Sequence, residues 1–325
     1  MPDGPSVAVL CGGFGAARFV PAVASVVPPP ELCCIVNTAD DLDHLGLHIS
    51  PDVDSVCYAL AGRFDEARGW GLTGDTFHTV ETLARYGQGW FRIGDEDLAF
   101  SLLRTARLYR GVTLSQATAR MTQALGVDAT VLPMSDDAVR TIVHTDAGTL
   151  NFQEYLVRRR AQPRVFGVEY LGLTAAAPAP AVLPALREAD VVLIAPSSPV
   201  ASITPILRLP GVLDVLRSRR GPTVAVTSVV SGRAPRTGPE QGRATVRSAL
   251  MQSLGVPHQA AEVAALYRAF LDGFVLDQRD AAEAADIEAM GVRVLLADTL
   301  AEPDDRPAMA RAVVDFAASA ARLFV

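Results

Sequence analysis

The sequence lacks the features that mark membrane, secreted and nucleic-acid-binding proteins. It has no uncharged apolar run of about 18 residues, and its first ten residues lack the basic and apolar segments of a signal peptide. The formal net charge is -7, which gives no general attraction to nucleic acid. We therefore expect a cytoplasmic protein that binds neither membranes nor nucleic acid.

Cysteine is scarce and confined to the first fifth of the chain. The four cysteines are Cys11, Cys33, Cys34 and Cys57. None belongs to a Cys-x-x-Cys pair, which disfavours a zinc site, and their positions do not suggest the disulfide framework of a secreted protein. The composition predicts buried free thiols.

Several common catalytic signatures are also missing. There is no Gly-x-Ser-x-Gly elbow, no Gly-Lys-Ser/Thr ending of a P-loop, and no complete dinucleotide fingerprint, because Arg18 stands where its last glycine would be. The five histidines show no metal-binding spacing. His44 and His48 are four residues apart, but Gly46 between them predicts a loop.

What the sequence does contain is the pattern of an α/β fold. Its 325 residues are 50% hydrophobic and 20% charged, as expected of a folded enzyme-sized protein. We predict one domain over residues 1–325, with a Rossmann-like, mostly parallel sheet, flanking helices, and a helical insertion at about 55–130 that forms part of the substrate pocket. Predicted strands are Val7–Leu10, Leu32–Val36, Val191–Ile194, Val224–Val226 and Val292–Leu296, with a hairpin over Thr141–His144 and Gly148–Phe152 and a last helix over Pro307–Leu323.

A glycine-rich turn follows the first predicted strand. Gly12, Gly13 and Gly15 would let backbone N–H groups approach a phosphate at a helix N-terminus, with Arg18 about one turn into that helix. The motif predicts a phosphate site, although a tight strand-to-helix turn without a ligand would have the same sequence.

Carboxylates gather at two nearby points. Asp40 and Asp41 follow the second predicted strand, and Asp52 and Asp54 come soon after. Oxygen ligands of this kind hold Mg²⁺ against substrate phosphates. Helix capping and solvated loop charge are the alternative reading for each of them.

Aromatic and polar residues are mixed further along the chain. Trp70, Asp75 and Thr76 lie in one such segment, and Arg92 in another, which suits a planar aromatic ligand. Structural capping is the competing explanation.

Two further residues, Ser135 and Asp136, could serve a metal or activate a hydroxyl, or could simply cap a helix. Composition does not decide between these roles.

In combination, these segments resemble the 2-phospho-L-lactate transferase family of coenzyme F-420 biosynthesis, over nearly the whole chain. The segments are GGFGAARF (Gly12–Phe19), NTADD (Asn37–Asp41), SPDVDSV (Ser50–Val56), GWGLTGDTF (Gly69–Phe77), IGDEDLA (Ile93–Ala99), LPMSDD (Leu132–Asp137), NFQEYLVRRR (Asn151–Arg160), APSSPVASITPIL (Ala195–Leu207) and DGFVLDQRD (Asp272–Asp280).

The resemblance implies a reaction and its participants. A phospho-three-carbon acid, of the 2-phospholactate, phosphoenolpyruvate or phosphoglycerate type, would pass from a GMP-activated donor to the ribityl hydroxyl of 7,8-didemethyl-8-hydroxy-5-deazariboflavin, releasing GMP. It also implies Mg²⁺ and makes a homodimer plausible.

Site residues follow from the same resemblance. Asp54 and Arg92 match positions where the family binds the deazaflavin. The glycine loop and the loop carrying Ser197, Ser198 and Ser202 would hold nucleotide and phosphate. We expect Asp41 and Asp54 to hold the metal or orient the hydroxyl, with Asp40 and Asp52 as supporting metal ligands.

Two departures from the family pattern affect donor recognition. Ser198 stands where the family usually has asparagine, which removes an amide that can both donate and accept. Arg233 and Arg236 could favour a more anionic donor.

Two other functions are compatible with part of the pattern. One is a non-catalytic regulator of the same superfold that binds nucleotide sugars, although such a protein would not need the aromatic segments. The other is an NAD(P)-dependent oxidoreductase, which is disfavoured because Asn37 stands where an acidic, ribose-binding residue would end the second strand.

Overall fold

Strands and helices alternate through most of the computed structural model, which describes residues 4–230 and 239–321. The strands are β1 Val7–Cys11, β2 Leu32–Val36, β3 Leu42–His44, β4 Leu47–Ile49, β5 Thr130–Pro133, β6 Arg140–Thr145, β7 Gly148–Asn151, β8 Val165–Leu171, β9 Val191–Ile194, β10 Thr223–Val226, β11 Gly273–Asp277 and β12 Arg293–Ala297. Arg233 and Arg236 lie outside the described residues.

The helices lie between and after these strands. They are α1 Gly13–Ala24, α2 Pro51–Leu60, α3 His78–Ala84, α4 Asp95–Leu108, α5 Leu114–Ala124, α6 Val182–Glu188, α7 Thr204–Leu207, α8 Val212–Ser218, α9 Pro239–Ser253, α10 Ala260–Tyr267, α11 Ala284–Glu288 and α12 Arg306–Ala321. Short π-helical turns occupy Glu154–Arg158 and Pro199–Ile203, and 3-10 turns occupy Pro29–Glu31 and Gln278–Glu283.

Seven strands form one parallel sheet in the order β12-β11-β10-β9-β1-β2-β5. The chain builds this sheet outward in both directions from the β1–β9 pair, so the strand order reverses there. In open α/β sheets, ligands bind beyond the carboxyl ends of the strands at such a reversal. The predicted Rossmann-like fold with a mostly parallel sheet is confirmed.

Burial explains why the central strands are apolar along their whole length. Every residue of β1, β9 and β10 is buried, as is typical of parallel strands covered on both faces. Ala8 and Leu10 belong to one hydrophobic cluster, whereas Val7 and Val9 belong to the cluster on the opposite face. The core therefore consists of two layers separated by the sheet.

Four helices, α2 to α5, lie between β4 and β5, where the sequence predicts a helical insertion. The first helix begins at Gly13, so it starts within the glycine turn itself.

The predicted loop around His44 and His48 was wrong. These residues lie in the antiparallel hairpin β3–β4, where His44 pairs with Leu47 and Asp43 with His48. The turn consists of Leu45 and Gly46, both with positive φ, the conformation that two-residue hairpin turns require. Gly46 therefore belongs to a tight hairpin turn and not to an irregular loop.

The predicted hairpin over residues 141–152 is confirmed as β6–β7, and a third strand, β8, pairs with β6. The sequence reading missed β8 and also β11, which lies within the DGFVLDQRD segment.

All four cysteines are free, as predicted. Burial raises the pKa of the Cys33 thiol to about 12, so that thiol stays protonated at neutral pH.

Within the described residues, no single helix is long and apolar enough to span a membrane; the bent pair Pro199–Leu207 and Val212–Ser218 meets the criteria of length and composition when taken together.

Asp277, at the end of β11, joins two strand ends through a fully buried carboxylate. It accepts hydrogen bonds from the backbone N–H of Arg279 at 2.9 Å and from the N–H and hydroxyl of Thr299 at 3.0 and 2.6 Å. We predict that Asp277→Ala lowers the free energy of unfolding by about 2–3 kcal/mol, because several part-buried donors lose their acceptor. Urea denaturation measures the change, with the exposed Asp128→Ala as control; equal stabilities would contradict this role.

Candidate active site

A cavity of about 620 Å³ opens at the carboxyl edge of the sheet. Residues that follow five of the seven strands line it: Gly12 after β1, Asp40 after β2, Ser197 after β9, Thr227 after β10 and Thr299 after β12. The volume is that of a typical small-molecule site. The cavity therefore lies where the strand reversal predicts a ligand.

Two hydrogen bonds join the glycine turn to the loop after β9. The Ser197 hydroxyl donates to the carbonyl of Gly12 at 2.8 Å and accepts from its N–H at 3.1 Å. A Cβ on Gly15 would collide with the carbonyl oxygen of Pro196, and Gly13 has a φ of +69°. Glycine is thus required both for the close approach of the two loops and for the conformation of the turn.

These hydrogen bonds leave fewer backbone N–H groups of the turn available to bind a phosphate. The N–H of Gly12 is taken by Ser197, and the N–H of Gly13 hydrogen-bonds to Asp52. The three predicted glycines line the cavity, but two of their N–H groups already have protein partners. Arg18, which also lines the cavity and lies 3.6 Å from Glu66, brings positive charge to this end.

Two other predicted serines line the same end of the cavity. The Ser198 hydroxyl accepts from the N–H of Ala201 at 3.2 Å and so caps the π-helical turn Pro199–Ile203. Ser202 is buried within that turn. Such π turns are frequent at functional sites because they redirect side chains.

The structure brings together the four predicted carboxylates, all of them buried. Asp40, Asp52 and Asp54 line the cavity, whereas Asp41 lies behind that lining. Asp41 accepts from the Ser50 hydroxyl at 2.8 Å and contacts Nε2 of His48 at 3.0 Å. His48 was not expected to take part in the site.

Asp52 and Asp54 have different partners. The side-chain amide of Asn37 donates to Asp52 at 2.9 Å, which explains why an asparagine follows β2. Asp54 forms a buried ion pair with Arg104 of α4. Arg104 was not identified from the sequence, because nothing in the segment around it distinguishes it from the other arginines of a helix.

Burial and mutual repulsion disfavour the ionised form of these carboxylates. Burial, and then the charge of Asp52, raise the pKa of Asp40 well above its usual value. Burial raises the pKa of Asp52 to about 6, although the Asn37 hydrogen bond lowers it. Burial also raises the pKa of Asp54, against the lowering effect of Arg104. Without a bound cation, burial therefore favours the protonated forms of these carboxyls.

Three oxygen atoms of the cluster remain available as acceptors. Oδ1 of Asp40, Oδ1 of Asp41 and Oδ2 of Asp54 are buried and have no hydrogen-bond partner among the described residues. No group of three His, Cys, Asp or Glu side chains in the described part of the chain could hold a metal by itself. The donors therefore fit an ion shared with substrate phosphates, as is usual for Mg²⁺, and not a closed metal cage.

Aromatic rings and arginine side chains form another part of the cavity wall, which we call the aromatic panel. The Arg68 guanidinium lies 5.1 Å from the Trp70 ring and 4.6 Å from the Phe77 ring, and Arg92 lies 5.1 Å from Phe77. Asp65 holds one nitrogen of Arg68 at 3.1 Å. Trp70 and Arg92 both line the cavity, which places them beside the carboxylates as the substrate-binding prediction requires.

Four other predicted site residues lie away from the cavity lining. Asp75 accepts from the N–H groups of Glu96 and Asp97 at 2.9 and 3.1 Å and so caps α4. The Thr76 hydroxyl donates to Asp95 at 2.6 Å. These contacts match the capping alternative.

Ser135 and Asp136 have structural partners as well. The Ser135 hydroxyl donates to the carbonyl of Ala177 at 2.6 Å, and Asp136 accepts from the N–H and hydroxyl of Ser115, both at 2.7 Å. Neither residue lines the cavity.

Asp97 is a cavity residue that sequence reasoning missed, although the IGDEDLA segment contained it. It is buried and accepts from the Tyr58 hydroxyl at 2.8 Å. Burial, followed by repulsion from Asp54, raises the pKa of Asp97 to about 7.

Arginines supply the positive charge of the cavity, because the chain contains no lysine. The arginines of the lining are Arg18, Arg68, Arg92, Arg160, Arg243, Arg247 and Arg306. Arg306, at the start of α12, binds Glu66 through two hydrogen bonds of 2.6 and 2.9 Å, and Glu66 also lies close to Arg18. Planar guanidinium groups suit the bidentate binding of phosphates and carboxylates.

The fold and the cavity define an α/β enzyme of the Rossmann-like class, with its cleft at the strand reversal of a parallel sheet. A family model described as 2-phospho-L-lactate transferase CofD matches residues 7–300. The chain therefore belongs to the 2-phospho-L-lactate transferase family, as its motifs predicted, and is a transferase.

Similar proteins agree with this assignment. A 2-phospho-L-lactate transferase from Methanosarcina acetivorans is 38% identical over 293 residues, covering 90% of this chain and 92% of the relative. A phosphoenolpyruvate transferase from Streptomyces griseus is 37% identical over 319 residues, covering 96% and 98%. A crystal structure of a UPF0052 family member from Bacillus halodurans has a TM-score of 0.64 at 15% identity, covering 96% of this chain and 99% of that one, which shows a shared fold alone.

The capping contacts of Asp75 lead to a stability prediction. Asp75→Ala should lower the free energy of unfolding by about 1–2 kcal/mol, because two N–H groups at the start of α4 lose their acceptor. Thermal or urea unfolding measures the change, with Asp128→Ala as the matched exposed control. A stability equal to that of the control would show that Asp75 is not a structural cap.

The raised pKa of Asp97 predicts a pH-dependent stability difference. Because the folded-state pKa is about 7 and the unfolded value is near 4, Asp97 weakens the folded state progressively as pH rises from about 4 to 7. Asp97→Asn removes this effect, so its stability relative to the wild type should increase over that range, by on the order of 2–4 kcal/mol. Denaturation at pH 5 and pH 8 measures this, and a pH-independent difference would contradict it.

Proposed function

We propose that this transferase moves a phospho-three-carbon acid from a GMP-activated donor to the terminal ribityl hydroxyl of 7,8-didemethyl-8-hydroxy-5-deazariboflavin. The observation that carries the proposal is one cavity whose lining combines buried carboxylates, arginine and serine side chains, and Trp70 of the aromatic panel. The arginines and serines suit an anionic donor, and the panel suits a flat acceptor. The family membership and the names of the relatives support the same chemistry.

The proposed reaction needs positioning and charge neutralisation, not a nucleophilic side chain. The acceptor hydroxyl oxygen forms a bond to the donor phosphorus that carries the three-carbon acid. The bond from that phosphorus to the bridging oxygen of GMP breaks, and GMP leaves with the electron pair. The hydroxyl proton passes to a carboxylate of the cluster and then to solvent.

The geometry suggests a role for each part of the site. The unpartnered Oδ2 of Asp54 can accept a hydrogen bond from the attacking hydroxyl and orient it. Arg18 and Arg243 line the donor end, where guanidinium groups can neutralise the charge that develops on the phosphates. Their fixed positions avoid reorganisation during the reaction.

We further propose that Mg²⁺ is held at Asp40, Asp41, Asp52 and Asp54, with one or two of these carboxylates bound directly. When bound, the ion neutralises phosphate charge and polarises the P–O bonds. The unfavourable burial of the carboxylates, seen in the raised pKa of Asp40, and the unpartnered oxygen of Asp41 support this placement. We also propose that the protein forms a homodimer and is located in the cytoplasm.

The identity of the three-carbon acid is the next question. The relatives carry both the phospholactate and the phosphoenolpyruvate names, so each donor should be assayed, together with the phosphoglycerate form. Mass spectrometry of the protein with the deazaflavin alcohol, Mg²⁺ and each guanylylated donor should detect a phosphodiester product and GMP from at least one. If no donor gives product while nucleotide sugars bind, the regulator interpretation is correct instead.

A substitution of Asp54 tests the proposed mechanism in the same assay. We expect Asp54→Asn to lower kcat at least about a hundredfold, because the hydroxyl loses its charged acceptor. Asn is preferable to Ala, since Ala would leave Arg104 buried and unpaired at a cost of about 3–5 kcal/mol. The control is Asp128→Asn, and near-normal turnover of Asp54→Asn with a folded protein would refute the role.

A further inference from the structure

One face of α2 presents a row of polar side chains to the cavity. The residues are Asp52, Asp54, Ser55 and Tyr58. Ser55 lies three positions from both Asp52 and Tyr58, and Tyr58 lies four positions from Asp54, so these pairs of side chains are neighbours along the axis of α2. Asp52 lies beside the glycine turn, and Tyr58 lies one turn beyond Asp54, in contact with Asp97. The row thus leads away from the proposed reaction centre.

Two groups, one in this row and one beside it, are available for a ligand. The Ser55 side chain lines the cavity and makes no hydrogen bond to any described residue. The Asp97 carboxylate gives one oxygen to the Tyr58 hydroxyl, while Oδ2 has no hydrogen-bond partner in the described part of the chain. A carboxylate oxygen without a partner can accept a hydrogen bond from a bound hydroxyl.

Asp97 is held in a fixed position. Its N–H donates to Asp75 at 3.1 Å, and its Oδ1 accepts from Tyr58 at 2.8 Å. Gly71 lies beside it, because a Cβ at Gly71 would be 3.7 Å from Oδ2 and 3.7 Å from Nη1 of Arg68. Arg68 packs against Trp70 in the aromatic panel. Oδ2 therefore lies at the junction between the polar row and the panel.

We propose that Ser55 and Asp97 form a hydroxyl track, which binds the interior hydroxyls of a polyhydroxylated chain that joins the flat ring of the acceptor to its reacting hydroxyl. The inference rests on the proposed function and adds the part of the acceptor that the track recognises. Asp54 lies at the reacting end of the track, and Trp70 lies at the ring end.

The length of the track fits such a chain. One helical turn of α2, from Asp54 to Tyr58, rises about 6 Å. A five-carbon chain spans roughly 6 Å when extended, because three consecutive bonds cover about 3.5 Å. A chain of this length can place its terminal hydroxyl at Asp54 while its interior hydroxyls face Ser55 and Asp97. An unsubstituted alkyl chain would leave both groups without a donor or acceptor.

The experiment compares the natural acceptor with an analogue whose interior chain hydroxyls are replaced by hydrogen and whose terminal hydroxyl is retained. Equilibrium binding, followed by the fluorescence of the ring, and kcat/KM are both measured. The wild type should prefer the natural acceptor by about tenfold to a hundredfold, since a buried polar site discriminates strongly against a ligand that lacks the matching group.

Variants of Ser55 and Asp97 then show whether these two residues cause the preference for the natural acceptor. Ser55→Ala and Asp97→Ala should each weaken binding of the natural acceptor severalfold and leave binding of the analogue nearly unchanged. Asp97→Asn should retain most of the preference, because its amide still bonds a hydroxyl. Asp128→Asn is the matched control, and thermal unfolding with GMP binding shows that each variant is folded.

The outcomes separate this inference from the proposed function. If the variants keep the full wild-type preference for the natural acceptor, the hydroxyl track is wrong, although product formation by the wild type would still support the transfer. If the wild type forms no product with any donor, the proposed function fails. The binding comparison would still test the track, because it needs no turnover.

Discussion

The buried negative charge at the carboxyl edge of the sheet is the constraint on which the site depends. Asp40, Asp41, Asp52 and Asp54 are all buried, and Arg104 pairs directly with Asp54. Burying unpaired carboxylates is unfavourable unless they are protonated or meet a cation. The raised pKa values of Asp40, Asp52 and Asp54 express this cost. A bound cation with its phosphates would relieve it.

The fold creates this arrangement by bringing strand ends and one helix N-terminus together. Gly15 packs against the carbonyl of Pro196. The loops after β1 and β9, where the strand order reverses, therefore form one wall of the cavity together. Asp52 and Asp54 lie in the first turn of α2, where the helix dipole favours negative charge. The dipole and the amide of Asn37 reduce the repulsion without removing it.

Sequence reasoning succeeded where the signal was local. β2 and β9 are continuous apolar runs because they are buried on both faces, and the carboxylates were found because they follow a strand end. It failed where partners are distant in sequence. Asp75 caps a helix that starts 20 residues later, and the contacts of Tyr58 with Asp97 and of Arg306 with Glu66 depend on packing that no local pattern shows.

Magnesium titration calorimetry in the presence of GDP tests the central claim most directly. The account predicts that one Mg²⁺ binds per chain and that Asp52→Asn or Asp54→Asn weakens this binding at least about tenfold, because each removes a charge from the cluster. The exposed Asp128→Asn should bind like the wild type. Absence of Mg²⁺ binding by the nucleotide-bound wild type, or equal binding by the cluster variants, would contradict the account.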